Sequence, residues 1–115
     1  MPETIPVENS ILLTVKKLIG GDSTSPYFDT DLIVSINGAL ARAFQLGCGE
    51  ENYQITGESD LWEDLNLPNK TLGMLKTYIY LKTKSVFDPP TSSAMIDALN
   101  SSIKELEWCI EVSTH

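Results

Sequence analysis

Residues 69–110 read NKTLGMLKTYIYLKTKSVFDPPTSSAMIDALNSSIKELEWCI, and this stretch decides the fold class. Asn69 is placed to cap a long helix running to about Phe87. Along it Leu72, Leu75, Ile79, Lys82 and Val86 form one stripe, and Met74, Tyr78 and Leu81 form a second beside it. Asp88-Pro89-Pro90 then stops the helix, because proline blocks continuation and restricts the residue before it. Thr91, Ser92 or Ser93 caps a last helix. Its Ile96, Leu99, Ile103, Leu106 and Ile110 alternate three and four residues apart, an a/d seam over two heptads. Met95 and Ala98 widen the seam, and Trp108 lies off it. The tail Val112 to His115 is expected to fray.

Working upstream, Asn9 to Ile19 carries a helical stripe of Ile11, Leu12, Val15, Leu18 and Ile19. Asn9 or Ser10 can cap its start and Gly20-Gly21 end it. Lys16 and Lys17 meet the negative end of its dipole. After a polar turn from Gly20 to Tyr27, Asp29-Thr30-Asp31 opens a second helix with capping residues and early acids. Its apolar positions are Leu32, Ile33, Ile36, Ala39, Leu40, Ala43 and Phe44, and Gly47 and Gly49 close it. Gly38 inside it suggests a close approach by another helix. Cys48 to Pro68 is different: it holds Glu50, Glu51, Glu58, Asp60, Glu63 and Asp64 and no base. Ser59 can cap a short helix from Asp60 to Leu65, and Asn52 to Thr56 reads as extended. The chain therefore reads as an all-α bundle of four main helices plus a short one. A long, protruding acidic loop, 48–68, separates the second and third main helices.

Composition limits what such a bundle does. The 115 residues hold 16 acids against 8 Lys and Arg, a net charge of −8, with 42% apolar residues. That length and balance predict one domain, 1–115. No run approaches the ~20 apolar residues of a membrane span. Met1 to Pro6 lacks the basic and apolar regions of a secretory signal, so a cytoplasmic protein is expected. The acidic balance argues against nonspecific nucleic-acid binding, which depends on neutralising phosphates. Cys48 and Cys109 lie far apart with no neighbouring His, and read as small hydrophobes. The single histidine, His115, is terminal, so no nucleophile–histidine pair is expected. Neither Gly20-Gly21 nor Gly47-x-Gly49 makes a phosphate loop. Glu58, Asp60, Glu63 and Asp64 lack the alternating spacing of a calcium loop. They read as a solvated or partner-facing surface. No catalysis, metal or cofactor is expected.

Trp62 has two readings, an anchor of the acidic segment onto its own core or an interface hot spot. Tyr78 and Tyr80 fall on different faces of one helix, so at least one points away from the core. Acids concentrate in residues 50–64 and bases in 70–84. On opposite sides of a subunit, these patches would make a head-to-tail contact, the kind that closes into rings. Side by side, they would neutralise one another, and the sequence leaves both open. The candidate subunit-contact residues are Tyr53, Ile55, Glu58, Asp60, Trp62, Glu63, Asp64, Lys76, Tyr80, Lys82 and Lys84. A second reading makes the chain a small helical adaptor or regulator, monomeric or paired through the Ile96–Ile110 seam.

The order of Phe28-Asp29-Thr30-Asp31, Ile36-Asn37 and Phe44-Gln45-Leu46-Gly47 resembles the first half of small head–tail connector proteins of tailed phages and prophages. Lys76-Thr77-Tyr78-Ile79-Tyr80-Leu81-Lys82, Phe87-Asp88-Pro89-Pro90-Thr91-Ser92 and Glu105-Leu106-Glu107-Trp108 are similar to the second half. The resemblance covers roughly residues 9 to 110. It implies an all-helical, non-enzymatic subunit without a cofactor. It also implies a ring beneath the portal protein, dodecameric when matched to it, that extends the DNA channel and docks the next head-completion or tail protein. DNA would only pass through, and acidic walls would repel its phosphates. The implied setting is the head–tail junction of a virion, with assembly in the bacterial cytoplasm and no membrane contact. The loop 48–68 would contribute to the ring, and the C-terminal region, with Glu107, Trp108 and Glu111, would face the portal. The sequence ends soon after Glu111, so a long docking tail is not expected.

Overall fold

Ser10 starts the first helix as a capping residue should. Its hydroxyl accepts the amide of Leu13 at 3.2 Å, satisfying one of the free N–H groups of the first turn. Helix α1 spans Ile11–Ile19 and ends at Gly20, whose φ of 70° favours glycine. The computed structural model describes residues 6–20, 26–50 and 53–114. The expected roles of Gly21, Glu51, Asn52 and His115 lie outside the described residues.

Helix α2 covers Asp29–Gln45, α3 covers Asn69–Phe87 and α4 covers Ser93–Ser113. Three short 3-10 turns among the described residues, Val7–Asn9, Pro26–Phe28 and Trp62–Leu65, accompany them. Among the described residues there is no strand, only an isolated antiparallel bridge between Ser10 and Leu61. The all-α bundle of four main helices is as the periodicity predicts.

Several local expectations are corrected. Asp29 and Asp31 sit inside the first turn of α2, and the cap position is Phe28 with no side-chain cap. The 3-10 turn before it has already wound the chain, so both acids are left to meet the dipole, and Asp29 pairs with Lys16. Asn69 likewise lies inside α3 behind Pro68, whose carbonyl takes the Leu72 amide at 2.8 Å. The short helix is a single 3-10 turn begun at Leu61 rather than capped by Ser59. Gly38 is exposed, and a Cβ there would meet nothing within 4 Å, so no helix approaches it. The tail does not fray through Thr114: α4 runs to Ser113, and the Thr114 hydroxyl donates to the Leu46 carbonyl at 3.0 Å.

Helix α3 is central, packing on α1, α2 and α4. Its Leu75, Tyr78 and Ile79 are buried, so both predicted stripes reach the core, while Val86 stays outside. Ile11, Leu12 and Val15 of α1, Leu32, Ile36 and Leu40 of α2, and Ile103 and Ile110 of α4 complete it. The α4 seam is used from Leu99 onward, since Leu99 and Leu106 pack against the core while Met95 and Ile96 are exposed. Ile103 and Ile110 are spent inside the subunit, which counts against the seam as a dimer coiled coil.

Candidate functional site

Ile55 lies in a two-point clasp with Asn37 of α2: its amide donates to Asn37 Oδ1 at 2.7 Å, and its carbonyl accepts from Asn37 Nδ2 at 3.1 Å. The Asp60 carboxylate accepts the amides of Thr56 at 2.7 Å and Gly57 at 3.2 Å. Asp64 accepts the amide of Leu61 at 3.0 Å. Two of the four clustered acids are thus occupied in shaping their own backbone. Ser10 donates to the Glu58 carbonyl at 2.7 Å, and the Asp60 carbonyl accepts the Ile11 amide at 3.1 Å. Ile55, Trp62 and Leu65 are buried. The expected protrusion therefore does not extend over residues 53–68, which lie down on α1 and α2.

Trp62 is 3% exposed and donates its Nε1–H to Thr14 Oγ1 at 3.1 Å. Lys76 of α3 holds its Nζ 5.3 Å from the Trp62 ring centroid, within cation–π range. That lysine shares a cavity of about 410 Å³ with Glu8, Glu63 and Asn66. Of Trp62's two readings, the geometry matches the anchor onto its own core. Tyr53 is half-buried. Burial, with the charges of Asp60 and Asp64 behind it, pushes its hydroxyl above the ordinary tyrosine value. Glu58, Glu63 and Asp64 face solvent, whereas Tyr80 and Lys82 are half-buried.

Glu107 of α4 takes the Tyr78 hydroxyl at 2.7 Å and stands 3.5 Å from Nε of Arg42, the single arginine in the chain. One carboxylate thereby joins α2, α3 and α4. Burial alone raises its pKa, but the Tyr78 hydrogen bond and the charges of Arg42 and Lys82 outweigh it, holding the carboxyl below the ordinary glutamate value. Burial first, then the bond to Glu107, pushes the Tyr78 hydroxyl far up, so it stays a donor. Lys84 pairs with Asp88 at 3.1 Å. Of the α3 lysines, Lys76 shares a cavity with Glu63 of the acidic segment, whereas Lys82 and Lys84 lie near Glu107 and Asp88, outside it. Of the C-terminal candidates, Glu107 is engaged, while Trp108 and Glu111 are exposed. Sequence reading missed the Arg42–Tyr78–Glu107 group. A lone arginine on a helix was its only signal.

Cys48 is buried, which raises its thiol pKa, and Cys109 is half-buried; both are free. Among the described residues no group of three or more His, Cys, Asp or Glu is arranged to hold a metal ion. No helix there is long and apolar enough to cross a membrane. The site is thus a set of surfaces around a largely paired polar interior, in which the buried hydroxyls of Tyr53 and Thr83 are left without a hydrogen-bond partner among the described residues.

A family model described as "Phage connector protein" matches residues 11–115, all four helices. No curated protein and no solved structure matches.

Proposed function

This chain belongs to the phage connector protein family, and from that premise we propose that it is the structural subunit of a ring at the head–tail junction of a tailed phage or prophage. The ring docks beneath the portal, extends its DNA channel and receives the next head-completion or tail protein. The match across all four helices carries this reading. The chemistry agrees with it: two of the four clustered acids, Asp60 and Asp64, hold backbone amides. The outward acids Glu58, Glu63 and Glu111 are free for polar contacts above, below or along the channel. DNA is cargo in transit, repelled by a surface of this charge.

Mass by light scattering after size exclusion, across concentration and salt, tests the reading together with binding to a purified portal ring. A discrete ring or capture by the portal supports it. A chain that stays monomeric and ignores the portal overturns it.

A further inference from the structure

Among the described residues, six large apolar side chains are more than half exposed, at Tyr27, Val34, Val86, Met95, Trp108 and Val112. Four of the six gather in two patches. One patch lies beside α4, where Trp108 at 65% and Val112 at 56% exposure flank Met74 and Cys109, with Lys70 at the rim. The other lies beside α2, an open groove of about 470 Å³ between Val34, Val86 and Phe87, with Asp31 at the rim. Lys70 and Val86 stand about 24 Å apart along α3, so the patches sit at opposite ends of the subunit.

The two differ in shape and in sign. The first presents a bulky indole and a cation. The second presents a groove and an anion. Neither Lys70 nor Asp31 has an ion-pair partner among the described residues. A self-matching contact would put like on like, whereas a head-to-tail contact pairs knob with groove and Lys70 with Asp31.

We propose that the Trp108 patch of one copy docks into the Val34–Val86 groove of the next, so that a second copy of this chain covers both faces. The proposal rests on the ring reading and assigns Trp108 to the neighbouring subunit rather than to the portal. A buried aromatic anchor at the centre of a contact carries a large share of its affinity.

Complementation tests it on the full chain. Trp108→Glu removes the knob and Val34→Glu blocks the groove; both positions are exposed, so folding, checked by circular dichroism, should persist. Each variant alone should self-associate about thirtyfold more weakly or worse. Mixed, they should form a dimer that grows no further, because one intact knob meets one intact groove. Wild-type assembly that survives both substitutions overturns this surface and leaves the ring reading standing. So does a mixture that stays monomeric while the wild type assembles. A wild-type chain that is monomeric at about 1 mM, where even a weak contact with a Kd near that value would register, overturns the self-docking proposal. Portal binding then judges the ring reading by itself.

Discussion

Glu107 ties α4 to α2 and α3 through one carboxylate, and it titrates. Its carboxyl is depressed in the folded state. A depressed carboxylate stabilises the fold above its unfolded value, near 4.3, and that contribution drains away as pH falls through the lower folded value. Glu107→Gln should therefore cost about 1–2 kcal/mol at neutral pH, and progressively less relative to the parent as pH falls below the ordinary glutamate value; denaturant melts across that pH series check it. Trp62 offers a second test. Truncation to Ala opens a cavity and strands the Thr14 hydroxyl's partner site, so a loss of about 3–5 kcal/mol is expected, read as a lowered melting midpoint. Sequence left Trp62 poised between anchor and interface because an aromatic among acids looks the same in either setting. Only its burial and its bond to Thr14 separate the two.

The two serine caps show what an element needs locally and what it borrows. Ser92 is exposed and only caps α4, accepting the Met95 amide at 3.2 Å. Ser10 is fully buried, caps α1 and also holds the Glu58 carbonyl. Ser10→Ala should thus cost about 2 kcal/mol and Ser92→Ala about half that, compared in one set of melts. Helices α3 and α4 were legible because Leu75, Ile79, Ile103 and Ile110 recur at helical spacing and Pro89-Pro90 forbids continuation. The caps of α2 and α3 were misplaced because a preceding 3-10 turn and Pro68 start those helices without a side chain. Beyond the short helical turn at Trp62–Leu65, the course of residues 53–68 was not legible. It is set by amides given to Asn37, Asp60 and Asp64, and such bonds follow no period. The apolar exposure of Val34 and Trp108 was equally hidden, since each belongs to a helix whose other face fills the core.

At the scale of the molecule, the subunit is a slab of 46 × 36 × 21 Å carrying a net charge of −8. At that net charge, identical copies repel one another at long range. Raising salt from about 50 to about 500 mM shortens that repulsion below the width of a contact, so self-association should strengthen, as sedimentation across the series would show. The junction of Ser10, Ile11 and Thr14 with Glu58, Asp60 and Trp62 has a further consequence. It joins positions 48 residues apart in sequence and closes α1 and α2 into a single lasso. Loop closure of that size is entropically costly and is recovered only when the whole knot is tied. The start of α1 and the acidic segment then have no separate stabilities: they come undone together. Slow hydrogen exchange should report the amides of Ile11, Leu13, Thr56 and Leu61 as one cooperative unit sharing a common opening free energy, and a protease that gains the acidic segment should find the first turn of α1 already undone.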